Sequence, residues 1–486
     1  MEQVAQLGIV EQIEMGLNEV VGWVWSTPLV VTLVGVGILF TLILGFPQLK
    51  GFIHALKVVT GKYDDPNDPG QISHFQALCT ALSATVGLGN IAGVAVAIRI
   101  GGPGATFWMI VVGLLGMATK YTEVSLALMY RSQDESGKTV GGPMYYIENG
   151  LGKKWKPLAV FFAFACLCGS YGASNMFQSN QVASILNINF GIEGWITGVV
   201  LAVLTGVVII GGIERIGQVT SKLVPFMGGI YVVGAGIVIF KNFGAIPEVI
   251  SQIMEGAFSG TAAAGGFTGA LFAQVVTQGV RRACFSNEAG LGSSPIAHSA
   301  ASTKEPIREG VVALLEPFVD TVCICTMTAF VILLSGSWTD PAENVNGVIL
   351  TAKAFDSAIE GFGTYFVPVA VALFAYSTLL SWSYYGETCA RYLFGPKGVL
   401  PYKIIFCFLA VLGAVRTLGP VLAFSDIMLG LMVVPNLFAV LLLFPKLKKE
   451  SDSYFRRLKN GDFDLPEHAK ASTGAIQRST TEPANS

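Results

Sequence analysis

Two glycine-rich segments interrupt long apolar stretches of the chain, and they hold residues that could bind a small ligand. The first is SATVGLGN at 83–90, and the second is VVTQGVRRACFSNEAGLGSS at 275–294. A helix that unwinds within a membrane exposes backbone amides and carbonyls, which can bind a carboxylate or Na⁺. Gly87 and Gly89 have no side chain to shield that backbone, and Asn90 adds an amide. The alternative is a helix kink without a ligand, and the pairing of two such segments argues against it.

The composition predicts that these segments lie in a membrane protein. Hydrophobic residues make up 52% of the 486 residues and charged residues only 13%, whereas soluble domains carry about 25% charged residues. Apolar blocks such as 28–46 approach the ~20 residues that a helix needs to cross a bilayer. The net charge of −2 gives no indication of a nucleic-acid partner. We therefore predict an all-α polytopic membrane protein in contact with lipid.

Hydropathy predicts eleven transmembrane helices, at 28–46, 74–100, 104–130, 157–183, 194–212, 222–240, 266–290, 309–335, 364–390, 403–419 and 421–444. Of the 30 lysines and arginines, 25 lie in loops on one side, at 47–73, 131–156, 212–222, 281–308, 391–403 and the tail from 445. Basic loops stay in the cytoplasm. The bias predicts a multi-pass inner (plasma) membrane protein with its N-terminus outside and its C-terminus in the cytoplasm. No Lys or Arg precedes Lys50, so we predict no cleaved signal peptide.

The positions of the two interruptions predict an internal repeat. If the span at 28–46 is set aside, the interrupted spans are the first and sixth of ten, and they enter the membrane from opposite sides. This pattern is typical of inverted-repeat transporters, which bind their substrate at the two breaks. Four units are predicted. Residues 1–73 form an N-terminal segment with an extra helix and a cytoplasmic loop, and residues 74–265 form the first five-helix repeat with the following outer loop. Residues 266–445 form the second five-helix repeat, and residues 446–486 form a partly disordered cytoplasmic tail.

Several long motifs carry a resemblance that extends to about residue 445. They are TVGLGNIAG at 85–93, GGPGATFWM at 101–109, GGPMYYIENGLG at 141–152, RRACFSNEAGLGSSPIAHSAA at 281–301 and FAYSTLLSWSYYGE at 374–387. With these motifs the chain resembles the alanine or glycine:cation symporter family, the sodium:alanine symporters. Ile110 departs from the tryptophan expected there in many members. The resemblance implies a LeuT-like five-plus-five inverted repeat with one extra N-terminal helix, which agrees with the count of eleven.

The resemblance also implies a function and a coupling ion. We expect secondary active transport, in which Na⁺ drives symport of a small neutral amino acid, alanine or glycine, into the cell by alternating access. The implied sodium ligands are the carbonyls of Ser83, Val86 and Phe374 and the hydroxyls of Ser377 and Thr378. Five oxygens suit a hard cation. The competing interpretation is that the two hydroxyls bond carbonyls of their own helix. No organic cofactor is expected.

The implied substrate site surrounds the first interruption. The amides from Gly87 through Leu88 and Gly89 to Asn90 would hold the amino-acid carboxylate. Further pocket residues come from other helices and would close the site around a small side chain: Gln178, Phe272, Thr277, Gln278 and Trp382. Polar side chains in membrane helices also join helices to one another, and tryptophan also lies at membrane interfaces. Those interpretations remain open for Gln178 and Trp382.

Other function classes remain as alternatives. In a proton-coupled amino-acid carrier, Glu316 or Asp320 would hold the proton, because acids inside membrane helices are functional candidates. The competing interpretation is that these acids have a structural role, since Glu316 and Asp320 are four residues apart on one helix. Lys120 and Glu123, three residues apart on another helix, are expected to form an ion pair. An enzyme is not expected, since the sequence has neither an HExxH motif nor a recognisable Ser/His constellation. A channel would not need a closed polar pocket between two breaks.

Overall fold

Helices make up almost all of the described chain, which in this computed structural model comprises residues 9–134, 137–258, 266–339, 347–416 and 419–463. Side chains are not described for 9–10 and 266–272. The first half contains α1 (Ile9–Val24), α2 (Thr27–Ile43), α3 (Pro47–Val59), α4 (His74–Thr85), α5 (Val94–Gly101), α6 (Gly104–Met129), α7 (Pro143–Tyr145), α8 (Lys156–Tyr171), α9 (Phe177–Phe190), α10 (Gly194–Ile209), α11 (Gly212–Lys241) and α12 (Ile246–Phe258). The second half contains α13 (Gly266–Asn287), α14 (Pro295–His298), α15 (Pro306–Ala313), α16 (Leu315–Pro317), α17 (Thr326–Ser335), α18 (Val348–Ala358), α19 (Phe362–Phe394), α20 (Val399–Val415) and α21 (Gly419–Asn460).

Short irregular elements join several of these helices. Two-residue strands β1 (Ser132–Gln133) and β2 (Thr139–Val140) pair antiparallel. Single turns of 3₁₀-helix also occur, at Lys153–Trp155, Phe243–Ala245, Ser337–Thr339 and Pro396–Gly398. Four π-helical stretches continue or connect α-helices, at Gly89–Gly93, Tyr146–Gly150, Gly172–Met176 and Phe318–Cys325. Because π-helical turns often mark functional sites, the stretch beside the first glycine-rich segment is of special interest.

The helices confirm a multi-span membrane protein. Eight described helical segments are long and apolar enough to cross a bilayer, and the bent pair formed by α4 and the helix at 89–101 makes a ninth. Each of the eleven predicted spans coincides with a helix. However, α10 has only 16 residues, and α13 does not meet the same length and hydropathy test. The count of eleven therefore remains a prediction, as do the boundaries of the two repeats.

The outward faces of the peripheral helices are strongly apolar. On α10, α11 and α20, side chains such as Val203, Val207, Phe240 and Phe408 are more than half exposed. A water-soluble protein of this size would leave few such residues in continuous rows. Such faces are consistent with the predicted contact with lipid.

Small residues allow the helices to approach one another closely. A Cβ atom on Gly104 of α6 would lie 2.2 Å from the carbonyl carbon of Gly256 in α12. A Cβ on Gly198 of α10 would lie 2.9 Å from the Cα of Val411 in α20. Close packing through small residues is how membrane helices associate in the absence of a hydrophobic driving force. It holds the scaffold around the two interrupted helices.

Candidate functional site

The first glycine-rich segment is a real break in its helix. Helix α4 begins with a capping box, in which the side chains of Ser73 and Gln76 each bond the backbone of the other residue. It ends at Thr85, and Val86 has the non-helical angles φ −76° and ψ 88°. The axis then bends by 48° before the helix resumes at Gly89. The predicted break therefore lies where the sequence placed it.

Asn90 and two glycines shape the backbone at this break. The amide N–H of Gly87 donates to Oδ1 of Asn90 over 2.8 Å. A Cβ on Gly87 would lie 2.6 Å from Oγ1 of Thr378, and one on Gly89 would lie 3.3 Å from Cα of Ser286. Glycine at 87 thus permits α19 to approach the break closely. The segment from Gly87 to Asn90 is buried.

Four of the five predicted sodium ligands contact one another beside the break. The hydroxyl of Ser83 donates to the carbonyl of Ser377 over 2.6 Å, and the hydroxyl of Ser377 lies 3.3 Å from the carbonyl of Ser83. The hydroxyls of Ser377 and Thr378 also donate to the carbonyl of Phe374, over 2.8 and 3.0 Å. These two bonds are the back-bonds that the competing interpretation requires. The cluster nevertheless gathers carbonyl and hydroxyl oxygens of α4 and α19, the donor type that Na⁺ prefers.

Val86, the fifth predicted ligand, occupies the first non-helical position. Its amide N–H still bonds the carbonyl of Leu82 over 2.7 Å. Because the backbone of Val86 is not helical, its carbonyl does not take part in the regular hydrogen bonding of α4. The side chain is buried.

A small cavity lies against the break, and most of the predicted substrate residues line it. Its lining includes five of the nine, namely Gly87, Leu88, Gly89, Gln178 and Trp382, together with the predicted sodium ligand Thr378. Asn90 lies behind this lining, where its amide nitrogen donates to Oδ1 of Asp320 over 2.6 Å. Eight further residues complete the wall: Ala84, Thr85, Ala173, Ser174, Phe285, Glu288, Leu291 and Leu429.

Gln178 is available to a ligand. Its side-chain nitrogen makes only a long contact, 3.5 Å, with the carbonyl of Ala173. Its Oε1 is buried and, among the described residues, has no hydrogen-bond partner. An unmet buried acceptor costs about 1–3 kcal/mol. A ligand ammonium group could therefore supply the donor that the protein lacks here.

The second break begins at residue 288, well after residue 275, where the predicted segment starts. Helix α13 runs without interruption to Asn287, and Glu288 then takes a left-handed conformation with φ 58°. Gly290 and Gly292 also have positive φ, 90° and 79°. The break therefore spans 288–294, between α13 and α14. Glu288 accepts a 2.9 Å hydrogen bond from the indole of Trp382 and another from the hydroxyl of Ser293.

This position corrects the placement of Thr277 and Gln278. Both residues lie inside continuous α13, more than two turns before the break, and neither is among the described residues that line the cavity. A Cβ on Gly101 would lie 3.2 Å from Cβ of Gln278, so Gln278 packs against the end of α5. Phe272, the remaining predicted pocket residue, lies outside the residues whose side chains are described.

Sequence reasoning missed several residues that face the cavity. At the second break the cavity is lined by Phe285, Glu288 and Leu291. Thr277 and Gln278 were expected at these positions. The available signal was the NEAG sequence at 287–290, because an asparagine followed by glycine after an apolar helix is a helix-stop signal. Ser174 reaches the cavity from the π-helical turn between α8 and α9.

A larger vestibule lies on the other side of the break from the start of α4. This cavity of about 470 Å³ is lined by residues of 88–96, α9, α13 and α21. Leu88, Ala173 and Phe285 line both the vestibule and the small cavity. Arg282 and Asp426 line the vestibule, and the neighbouring Arg281 pairs with Asp426 over 2.9 Å. The two arginines therefore belong to α13 at the vestibule, whereas the sequence analysis assigned them to a cytoplasmic loop.

Glu316 and Asp320, the two candidate proton sites, both have polar partners in the structure. Glu316 lies 3.3 Å from Nζ of Lys120. Asp320 accepts hydrogen bonds from Asn90, Ser286 and Thr321. The expected pair of Lys120 with Glu123 is replaced by Lys120 with Glu316, and Glu123 instead accepts from the amide of Asn436.

Comparison with known proteins identifies the family. The family model described as "Sodium:alanine symporter family" matches residues 10–469. An uncharacterized transporter of Haemophilus influenzae is 42% identical over 94% of this chain and 100% of its own length. The sodium/alanine symporter AgcS of Methanococcus maripaludis is 44% identical over 91% of this chain and 98% of its own length. A putative sodium/proton-dependent alanine carrier of Bacillus subtilis is 36% identical over 90% of this chain and 91% of its own length.

The family match covers nearly the whole chain, and the relatives extend over the same range. A membrane-embedded bundle with a polar cavity at a broken helix agrees with both. The chain belongs to the sodium:alanine symporter family, a family of transporters and not of enzymes.

Proposed function

We propose that the protein carries alanine or glycine into the cell together with Na⁺, by alternating access across the inner (plasma) membrane. The observation that supports this most directly is the contact between the first break and α19. At this contact the amides of 87–90, the oxygen cluster of Ser83, Ser377 and Thr378, and the cavity wall at Trp382 meet. The amides suit a carboxylate, and the oxygen cluster suits the coupling ion.

The size and polarity of the cavity support a small neutral substrate. Trp382 and Phe285 limit its width, and Leu88, Leu291 and Leu429 provide apolar contacts. Glu288 accepts hydrogen bonds from Trp382 and Ser293, which hold its carboxylate at the cavity wall. Methyl-sized side chains fit this description, although a hydrophobic pocket distinguishes one methylene by only about 1–3 kcal/mol.

The arrangement of the cavities supports alternating access. In the proposed topology, with the N-terminus outside and the C-terminus in the cytoplasm, the vestibule faces outward. Leu88, Ala173 and Phe285 line both the vestibule and the substrate cavity, which places the two side by side. The two breaks in α4–α5 and α13–α14 support a LeuT-like inverted repeat. The proposed cycle opens this vestibule and the opposite end in turn.

Transport by reconstituted protein tests this function. One Na⁺ that enters at −100 mV releases about 2.3 kcal/mol. A tenfold Na⁺ gradient adds about 1.4 kcal/mol, and together they support roughly 500-fold accumulation of alanine. We expect proteoliposomes to accumulate labelled alanine only with an inward Na⁺ gradient, and to do so faster at negative internal potential. Equal accumulation with a proton gradient alone would identify a proton-coupled carrier instead.

A further inference from the structure

A buried charge cluster lies at the end of the bundle opposite the vestibule. We use this name for His74, Lys120, His298, Glu309 and Glu316, whose side chains are at most 1% exposed. They come from five separate elements, α4, α6, α14, α15 and α16. The proposed sodium and substrate sites do not use any of these residues.

His298 contacts two carboxylates at once. Its Nδ1 lies 2.5 Å from Oε1 of Glu309, and its Nε2 lies 2.8 Å from Oε1 of Glu316. An ionised carboxylate can only accept hydrogen bonds, and a neutral imidazole carries a single N–H. Both contacts are hydrogen bonds to ionised carboxylates only when both ring nitrogens carry protons. With both glutamates ionised, this geometry is that of an imidazolium ion.

His74 shares Glu309 with His298 but has a different requirement. Its Nδ1 contacts Oε2 of Glu309, whereas its Nε2 is buried and has no hydrogen-bond partner among the described residues. A neutral ring with its hydrogen on Nδ1 satisfies this arrangement. A second proton on Nε2 would place a charged donor in the interior without an acceptor, which is unfavourable. Glu309 therefore accepts hydrogen bonds from a neutral His74 and a cationic His298.

The charge balance of the cluster leads to the same assignment. Lys120 donates to Ser294 over 2.6 Å and lies 3.3 Å from Glu316. With His298 protonated, two cations meet two carboxylates. With His298 neutral and both glutamates ionised, the buried cluster keeps one uncompensated negative charge, which is strongly unfavourable.

Other ionisable groups face the cluster from neighbouring elements. Glu123 and Glu288 lie on the side of Lys120, and any charge on them is negative, which favours a proton on His298. Arg131 donates to the carbonyls of Ser299 and Ala301, directly after α14. Its side chain is directed at these carbonyls, and its positive charge also interacts with Glu309.

The cluster joins the two interrupted helices at the closed end. His74 is the first residue of α4, and His298 is the last residue of α14. The adjacent backbones are also bonded, since the amides of Gln71 and Ile72 donate to the carbonyl of Ala300 and the amide of Ser302 donates to that of Ile72. The vestibule is lined by 88–96, beyond the break. Access from this end requires the α4 and α14 segments to separate.

We propose that His298 is a proton-binding site that locks this end of the protein. The proton is bound while the segments around His74 and His298 are joined, and it is released to water when they separate. Low pH then favours the joined state. As pH rises and His298 loses its proton, the ratio of joined to separated protein falls by at most tenfold per pH unit, the limit for one linked proton.

Nitrogen NMR of the histidine rings tests the protonation directly. The sequence has four histidines, at 54, 74, 298 and 468. Full-length protein with ¹⁵N-labelled histidine, in lipid and without Na⁺ or amino acid, is compared with H54Q, H74Q and H468Q, so that His298 is assigned without being changed. We expect both ring nitrogens of His298 to be protonated at pH 7, and His74 to be neutral. A neutral His298 ring at pH 7 would overturn the proposal.

Hydrogen exchange tests the link to separation of the two segments. The amide exchange rates of peptides that cover 69–77 and 298–305 are measured from pH 6 to 9. At each pH the rate in a variant is divided by the rate in wild type, because this ratio cancels the intrinsic effect of pH on exchange. We expect His298→Gln to exchange at least tenfold faster at pH 6, with a ratio that falls as pH rises. His74→Gln is the matched control, and its ratio should not change with pH. A pH-independent ratio for His298→Gln would overturn the proposal. Neither measurement uses substrate, so failure here leaves the proposed transport function untouched.

Discussion

The amide nitrogen of Asn90 lies 2.6 Å from Oδ1 of Asp320, and this contact fixes which way the Asn90 side chain faces. Because an amide has its donor on one side and its acceptor on the other, the oxygen must point at the amide of Gly87, 2.8 Å away. Asp320 is thus connected to the first break through one side chain. The carboxylate does not itself line the substrate cavity.

Replacement of Asp320 by Asn should weaken alanine binding. The neutral amide no longer dictates the orientation of Asn90, so the amide of Gly87 loses a fixed partner. We expect a loss of about 1–3 kcal/mol, measured as the dissociation constant for alanine in saturating Na⁺. Cys325→Ala is the matched control, since its sulfur lies 3.3 Å from the same nitrogen and is a weak acceptor. Equal affinities for Asp320→Asn and wild type would contradict a positioning role.

Replacement of Thr378 by Ala should raise the Na⁺ concentration required for half-maximal uptake. The change removes one hydroxyl from the oxygen cluster and leaves no charge unpaired. Thr388→Ala is a close control, because Thr388 makes the same type of back-bond on α19, to the carbonyl of Tyr384 over 2.9 Å, but lies outside the cluster. If Ser377→Ala and Thr378→Ala together leave the Na⁺ dependence unchanged, the ion binds elsewhere.

Replacement of Gly87 by Ala should impair both Na⁺ and alanine binding. The new methyl group would lie 2.6 Å from the hydroxyl oxygen of Thr378, which is well inside van der Waals contact, so the break and α19 must move apart. Gly93→Ala adds the same atom six residues later in the segment after the break, where the nearest atom is 3.9 Å away. We expect near-normal binding for Gly93→Ala and at least a tenfold loss for Gly87→Ala. Titration of purified protein measures both.

Replacement of Gln178 by Ala should weaken alanine binding by about 1–3 kcal/mol, the usual value for a buried polar partner. Gln181→Ala, one turn further along α9 and in the vestibule, should change affinity less. Competition against labelled alanine then examines the cavity size. Glycine and alanine should compete better than leucine, glutamate or lysine, and the opposite order would contradict the proposed substrate.

Sequence predicted the first break correctly because three features coincide there. Gly87 and Gly89 flank one apolar residue, Asn90 follows, and the surrounding residues are strongly apolar. The second break was harder to place, since Gly279 resembles the start of an interruption. In the structure Gly279 is a packing residue, because a Cβ there would lie 2.7 Å from Cβ of Trp108. Helical glycines at tight contacts and glycines with positive φ cannot be distinguished by residue type.

Pairing between distant elements was also beyond sequence reasoning. Helical spacing indicated Lys120 with Glu123, but the folded chain brings Glu316 of α16 to Lys120. A side chain as long as lysine reaches partners on several neighbouring helices, and the periodicity of one helix contains no information on which neighbour is closest. Positions of spans were predictable from hydropathy, whereas polar partners depend on how the spans pack.

The vestibule wall has a consequence for inhibition. Leu88 and Phe285 line the vestibule on one face and the small cavity on the other. A blocking compound would not have to imitate an amino acid, because a molecule that fills the roughly 470 Å³ outer cavity can press on these two side chains and prevent their displacement. The pairing of Arg281 with Asp426 provides both signs of charge for anchoring such a compound. A compound selective for one member of the family could then be designed against the vestibule, without contacts to the proposed amino-acid site.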